Sequence, residues 1–168
     1  MRKSKPDLLA ILRTLTRHRV EFIIVGGVAA VLHGAPISTF DLDVVHRRDP
    51  DNIDRLLKAL AVLEARYRTL GSAARKPERS HLSSPGHQLL MTRAGPLDLL
   101  GTIGQGLGYD ELIRDAVEMR VGRGLKVRVL GLPALIRAKE ELGHDKDKAV
   151  LAVLRRTLKE KGEKEAQP

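Results

Sequence analysis

The chain contains no cysteine and very few aromatic residues. Its 168 residues include no cysteine and no tryptophan, and only two tyrosines and two phenylalanines. The absence of cysteine excludes disulfides, thiolate catalysis and cysteine-based zinc sites, and it favours a reducing, cytoplasmic location. The scarcity of aromatic side chains leaves almost no platform on which the bases of a single-stranded nucleic acid could stack.

The sequence also lacks the long apolar runs of membrane proteins and secretory signals. Residues 1–10 are basic but are not followed by an uninterrupted apolar segment, so we expect a soluble protein with no membrane partner. The histidines do not form an H-x3-H or H-E-x-x-H spacing, and no G-x-S-x-G motif is present. These absences exclude the common zinc sites and the serine-hydrolase mechanism.

Positive charge is what the chain has in excess. The formal net charge is +9, which favours a polyanionic partner such as a nucleotide, tRNA or another RNA. With so few aromatic residues, this attraction would act on phosphates without reading a base sequence. An arginine-rich composition alone would give the same charge, so that alternative stays open.

The length indicates a single domain, which we place at residues 1–160, followed by a charged tail at 161–168. Apolar residues at helical spacing predict a first helix over 6–17. Asp49 followed by Pro50 predicts the start of a helix whose apolar stripe runs to Leu63. We expect the tail, which lacks core residues, to fray from residue 159 onward.

The most informative stretch covers residues 21–45. Residues 22–25 form a short apolar run that ends at Gly26-Gly27, as expected for a buried strand ended by a turn. Residues 28–32 then predict a short helix. Gly26 and Gly27 would lie at its N-terminus, where free backbone N–H groups and the helix dipole favour a bound anion such as a phosphate.

Two aspartates follow on the next predicted strand. Asp41 and Asp43 alternate with Leu42 and Val44, so both carboxylates face one side, with Cα atoms about 6.6–6.8 Å apart. Two like charges this close are tolerated mainly when a cation neutralises them. Hard oxygen ligands favour Mg²⁺ or Mn²⁺, and a triphosphate would complete the coordination.

The combination of two glycines, a short helix and Asp41-x-Asp43 resembles the nucleotidyltransferase superfamily, which includes DNA polymerase β and kanamycin nucleotidyltransferase. The segment 33–43 is especially similar to the nucleotidyltransferase-like toxins of bacterial abortive-infection systems. The resemblance implies a mixed α+β fold with a four- to five-stranded mixed sheet and helices packed on one face. It also implies a third carboxylate, for which Asp98 fits, on the second of two predicted strands at 88–92 and 97–100.

The resemblance further implies transfer of a nucleoside monophosphate from an NTP, ATP by default, to a hydroxyl of tRNA, a protein or a small molecule. The acids Asp41, Asp43 and Asp98 would be catalytic and would bind the metal. Nucleotide-binding residues would be Gly26, Gly27, Ser38 and Thr39. The hydroxyls of Ser38 and Thr39 could instead bond only the backbone of their own turn.

One position departs from the pattern. In the small bacterial relatives an arginine commonly stands two residues before the threonine of this motif, and here that position is Ile37. The departure leaves open a second hypothesis, in which the chain is a noncatalytic binding module or a toxin–antitoxin component. Such a module would bind nucleotide, RNA or a cognate antitoxin protein.

The connecting segments carry weaker patterns. Residues 66–86 mix basic residues with Gly, Ser and Pro, which indicates a basic loop with a short strand near its start; it could serve as a flap over the site or as a solvated connection. Residues 101–108 are glycine-rich but do not match the dinucleotide-binding spacing. We predict a helix over 109–119 and a strand over 126–130.

A pair of charges is predicted between the last helices. In a helix over 132–142, Lys139 shares a face with apolar residues, where an unpaired charge is costly. Asp147, on the apolar face of the next helix, is the candidate partner. A structural salt bridge and a phosphate contact by Lys139 are both consistent with this pattern.

Overall fold

The computed structural model describes residues 5–68, 75–143 and 147–166, apart from the side chains of Asp147 and Ala166. Within these ranges the chain forms a mixed sheet of seven strands. The strands are β1 (Phe22–Val25), β2 (Leu42–His46), β3 (Arg66–Tyr67), β4 (His87–Thr92), β5 (Gly95–Leu100), β6 (Ala116–Val121) and β7 (Leu125–Leu130). The helices are α1 (Leu8–Arg17), α2 (Gly26–Leu32), α3 (Pro50–Val62), α4 (Arg79–Ser83), α5 (Tyr109–Leu112), α6 (Leu132–Leu142) and α7 (Asp147–Ala166).

The strands follow the order β3-β4-β5-β2-β1-β7-β6 across the sheet. The central strand β2 pairs antiparallel with β1 and parallel with β5, and β1 pairs parallel with β7. The pairs β3–β4, β4–β5 and β6–β7 are antiparallel. The mixed α+β class is confirmed, but the predicted count of four to five strands was too low.

The two faces of the central strands differ in burial. On β2 and β5 the buried face carries Leu42, Val44, Leu97 and Leu99, all with at most 1% of their surface exposed. Helices α1 and α3 contact each other, and α1 also contacts β5 and β7. The opposite face of the same strands carries Asp43 and Asp98, so burial of the apolar set orients both acids together.

Local sequence signals set the ends of the first helices. Asp49 precedes α3, and its carboxylate accepts a hydrogen bond from the backbone N–H of Asn52 at 3.2 Å, with Pro50 in the first turn. This cap confirms the predicted start of the helix. Helix α1 begins two residues later than we predicted, because the Asp7 carboxylate caps it by accepting from the Ala10 N–H at 3.0 Å.

The predicted helix over 109–119 was wrong in its second half. The chain is helical from Tyr109 to Leu112 and makes one 3-10 turn to Asp115, and then β6 begins at Ala116. Residues 117–121 alternate apolar and charged side chains, and residues 116–121 pair in register with β7 across a turn at 122–124. Gly122 and Gly124 both have positive φ, as this turn requires. The local pattern of the segment is ambiguous between helix and strand, and the turn and the pairing with β7 make it a strand.

Helix α7 is longer than expected, because residues 159–166 continue it to Ala166 instead of fraying. Its Thr157 is buried, and Lys161 Nζ lies 2.6 Å from His33 Nδ1 at the end of α2. The other ring nitrogen of His33 contacts the Leu130 carbonyl at 2.9 Å. The domain boundary at residue 160 stays a prediction. No helix in the described ranges is both long and apolar enough to cross a bilayer.

Candidate functional site

The two glycines lie at the junction of β1 and α2. Strand β1 ends at Val25, and α2 begins at Gly26, whose φ is +66°. A Cβ on Gly26 would collide with the carboxylate of Asp43, and a Cβ on Gly27 would lie 2.7 Å from Thr39 Oγ1. The glycines therefore allow an acid and a hydroxyl to lie directly against the backbone at a helix N-terminus.

Two acids stand side by side at the centre of the sheet. Asp43 on β2 and Asp98 on β5 are direct partners in the parallel register. The side chain of Asp98 is only 13% exposed, and Asp43 is half-buried. The structure thus brings Asp98 beside Asp43, as expected for a shared site, although the roles of both acids stay predictions.

Arg68 is a member of this cluster that sequence reasoning did not single out. Its Nη2 lies 2.7 Å from Asp98 Oδ1, and its Nη1 donates to the Leu90 carbonyl at 2.8 Å. The contact with Asp98 has the distance but not the direction of a hydrogen bond, so Oδ1 is a buried acceptor whose hydrogen-bonding capacity is unmet. The residue lies just beyond β3, and no local pattern distinguishes it from the other basic residues of 66–86.

The environment raises the pKa of Asp43. Burial and then the neighbouring Asp98 carboxylate raise the pKa of Asp43 to about 7, while Arg68 opposes the shift. A carboxyl with such a pKa is one whose negative charge lacks adequate compensation. A divalent cation would supply that compensation, and the unmet Asp98 Oδ1 is a suitable ligand atom for it.

The remaining predicted acid, Asp41, lies outside this pair. Asp41 is exposed and precedes the first residue of β2, although its charge contributes to the pKa shift of Asp43. In the described part of the chain, no group of three acidic, histidine or cysteine side chains is arranged to hold a metal ion. The structure therefore brings two of the three predicted acids together, and their binding of a divalent cation and the participation of Asp41 stay predictions.

A cleft of about 440 Å³ opens beside the acids. Asp43, Gly26 and Gly27 lie on one side of it, and α6 contributes Leu135 and Lys139. Its other lining residues include Ile37, Ser38, Thr39, His87, Leu100, Thr102, Ile103, Leu142, Val150 and Leu154. This size is within the range of small-ligand sites, and the wall is mostly apolar with few polar groups.

The residues of the 37–39 segment have different environments. Ser38 is exposed, whereas Thr39 is half-buried and its Oγ1 donates to the Asp41 carbonyl at 3.4 Å. This bond agrees with the turn interpretation for Thr39. Both residues line the cleft, and their role as nucleotide ligands stays a prediction. Ile37 is partly buried against the core and places an apolar side chain at the position where the sequence resemblance leads us to expect an arginine.

The predicted pair between α6 and α7 is only partly visible. Lys139 lies on α6 at the wall of the cleft and is half-buried, and α6 ends at Gly143 with φ +60°. Asp147 is the first residue of α7, but its side chain lies outside the described part of the chain. The ion pair between Lys139 and Asp147 therefore stays a prediction.

Comparison with known proteins identifies the fold. No family model and no curated protein matches the sequence. Among solved structures, a nucleotidyltransferase candidate from Thermotoga maritima has 19% identity and a TM-score of 0.52, with 91% of each chain covered. The antibiotic-resistance factor ANT(2'')-Ia has 15% identity and a TM-score of 0.58 over 94% of this chain and 83% of that one. An antigenic nucleotidyltransferase-like protein from Paracoccidioides brasiliensis has 18% identity and a TM-score of 0.50, over 88% and 72%. The chain has the nucleotidyltransferase fold.

Proposed function

We propose that the protein is a divalent-metal-dependent nucleotidyltransferase, which transfers a nucleoside monophosphate from an NTP to an acceptor hydroxyl. The observation that carries this proposal is the pair of acids at the centre of the sheet. Asp43 and Asp98 are held side by side, and Asp43 lies against the N-terminus of α2 in the wall of a cleft. A buried like-charge pair costs stability, so its presence favours a functional role.

The acids are the residues that would hold the cation. Asp43 and Asp98, joined by Asp41, would bind Mg²⁺ or Mn²⁺, which when bound stabilises phosphate charge and lowers the pKa of an acceptor hydroxyl. Arg68 keeps Asp98 oriented toward the site through its 2.7 Å contact. The backbone N–H groups of Gly26 and Gly27 would donate hydrogen bonds to phosphate oxygens in the cleft.

The reaction requires an acceptor oxygen to bond the α-phosphorus while the bond to pyrophosphate breaks and the hydroxyl proton is lost. Charge stabilisation and positioning account for most of the catalysis in such transfers. The cleft wall contributed by α6 would exclude water from the nucleotide, because Leu135 and Leu142 present apolar surface to it. ATP is our default donor.

A noncatalytic binding module is the second candidate, and one observation favours it. Ile37 presents an apolar side chain to the cleft at the position where an arginine would contact phosphates. Such a module would bind nucleotide or RNA, or pair with an antitoxin in a toxin–antitoxin system of the abortive-infection type, in the cytoplasm. The formal charge of +9 is compatible with an RNA partner.

Calorimetry of the purified chain separates the candidates. The enzyme hypothesis expects ATP binding that requires Mg²⁺ and is lost in Asp43→Asn, together with release of pyrophosphate when an acceptor is added. The module hypothesis expects binding to RNA that weakens steeply with salt and is unchanged in Asp43→Asn. Pyrophosphate release equal in wild type and Asp43→Asn would contradict the proposed roles.

The acceptor is found by labelling. Radiolabelled NTPs would be incubated with the protein and, separately, with total tRNA, with a protein extract and with small hydroxylated molecules. The likeness to an antibiotic-resistance factor makes the small-molecule arm as important as the tRNA arm. Label that appears in one class and disappears in Asp43→Asn identifies that class as the acceptor.

A further inference from the structure

The edge strand β6 has a sequence that is complementary to itself. Within the described part of the chain β6 pairs only with β7, so its outer edge offers unpaired backbone groups to another strand. Around Met119 the residues are arranged symmetrically: Glu118 and Arg120 flank it, and Val117 and Val121 flank those. An antiparallel copy centred on Met119 would therefore place unlike charges opposite each other and valine opposite valine.

The hydrogen-bonding pattern of the β6 backbone is the one that this pairing requires. Gly131 donates to the Asp115 carbonyl, and hydrogen-bonded pairs alternate along an antiparallel ladder, so the odd-numbered residues of β6 direct their backbone groups toward β7. Glu118 and Arg120 consequently direct theirs to the open edge. Pairing Glu118 of one copy with Arg120 of the other would form about four main-chain hydrogen bonds across the two-fold axis.

The side chains on the two faces also lack partners that a second copy would supply. Arg120 is opposite Lys126 on β7, and like charges in that position are destabilising. Glu118 is opposite Arg128 on β7 but forms no ion pair with it, and Arg120 forms none within the described residues. On the other face Val117 is 44% exposed and Met119 is partly buried against the core.

We propose that two copies of this chain associate by antiparallel pairing of β6 with β6 about Met119, which joins their sheets into one. In this dimer each Arg120 faces Lys126 on one side and Glu118 of the second copy on the other, so the like-charge contact gains a compensating acid. The interface is isologous, as closed dimers require. Because β6 is separated from β2 by β1 and β7, both acid sites stay open.

Charge swaps test the register. Glu118→Arg and Arg120→Glu each create like-charge contacts at both symmetric positions, and we expect each to weaken the dimer about tenfold or more. The double swap restores complementarity, and its dissociation constant should return to within about threefold of wild type. Dissociation constants would be measured by analytical ultracentrifugation in salt of about 0.15 M, where the Debye length is about 8 Å. Circular dichroism controls for folding.

Single cysteines give an independent test, because the chain has none of its own. In the dimer the two Met119 Cα atoms would lie about 4.5 Å apart, within the range of a disulfide. Met119→Cys should therefore cross-link under mild oxidation at least about five times more readily than Val117→Cys, whose Cα atoms would be about 13 Å apart. Val117 is the matched control because it is on the same face and is exposed.

Three results would overturn the proposal. The first is a wild-type protein that stays monomeric at every concentration reached, which would mean that Glu118 and Arg120 protect the edge instead of pairing it. The second is a double swap that remains as weak as the single swaps. The third is equal cross-linking of Met119→Cys and Val117→Cys. None of these outcomes bears on nucleotide transfer, so the dimer and the proposed function are tested separately.

Discussion

The central pair Asp43 and Asp98 and the edge pair Glu118 and Arg128 each place two charged residues directly opposite each other in the sheet, with opposite signs of interaction. At the centre, Asp43 faces Asp98 across parallel strands, and the contact is between like charges. Near the edge, Glu118 and Arg128 are register partners across the β6–β7 hairpin, where unlike charges occupy exposed positions without forming an ion pair. The residues of each pair are direct partners, one across parallel and the other across antiparallel strands, so strand pairing alone does not explain the difference in sign.

The comparison separates charged pairs that stabilise the fold from charged pairs that destabilise it. An exposed pair of unlike charges contributes at most about 1 kcal/mol. A buried pair of like charges lowers stability unless a proton or a cation is bound. A destabilising pair of like charges is retained when it is needed for binding or catalysis. For this reason the candidate active site is at Asp43 and Asp98, in the centre of the sheet, and not at its edge.

The largest expected effect is on transfer activity. Asp43→Asn and Asp98→Asn should each lower the rate of nucleotide transfer about 10³-fold or more, because either change removes a charged cation ligand from the site. Glu118→Gln removes one negative charge from the edge and should leave the rate within about twofold. Steady-state kinetics with saturating Mg²⁺ and ATP measures all three. A transfer rate in Asp43→Asn above a tenth of the wild-type rate would contradict the catalytic role that distinguishes the central acids from the edge residues.

Unlike the transfer rate, the stability of the metal-free protein should increase when Asp43 is replaced. The folded protein raises the pKa of Asp43 from 3.8 to about 7, so the stability that this group contributes is fully present below pH 4 and is lost as pH rises through 7. Without metal at pH 8, Asp43→Asn should therefore be more stable than wild type by about 1–3 kcal/mol.

Urea denaturation in the presence of a chelator measures this gain. At pH 5, where the Asp43 carboxyl of the wild type is mostly protonated, the difference between the two proteins should shrink. Glu118→Gln serves as the control at both pH values and should show no such pH dependence. A less stable Asp43→Asn at pH 8 would mean that the carboxylate is compensated within the protein.

Arg68 should account for a smaller effect. Its side chain is 24% exposed and its guanidinium lies against Asp98, so Arg68→Met should cost about 1–2 kcal/mol of unfolding free energy at pH 8. In an Asp98→Asn background the same substitution should cost much less, because the charge that it compensates has been removed. A double-mutant cycle by urea denaturation measures the coupling, and additive losses would show that the contact has no energetic role.

The smallest effect is expected at the edge. Glu118→Gln should alter the unfolding free energy of the monomer by about 0.5 kcal/mol or less, because the side chain is exposed and its contact is screened. Thermal denaturation at low protein concentration measures this value. A loss above about 1 kcal/mol would place the edge pair among the interactions that hold the fold.

Sequence reasoning located the acids but not everything around them. The period-2 alternation around Asp43 and the apolar run around Asp98 predicted two strands. The resemblance, which implies a third carboxylate, predicted that Asp98 lies near Asp43. Arg68 could not be found in this way, because its contact depends on where β3 joins the edge of the sheet. The strand β6 was misread for a related reason, since six residues fit a helical and a strand period equally well until their pairing partner is known.

The parallel register of β2 and β5 has a consequence for the order of folding. About one third of the chain lies between Asp43 and Asp98, and two parallel strands cannot be joined by a tight turn. Loops of this length close slowly, and their pairing comes after local hairpins such as β6–β7 have formed. Repulsion between the two carboxylates opposes the same step. Cation or nucleotide binding would therefore report completed folding, whereas helix content would rise earlier in a refolding experiment.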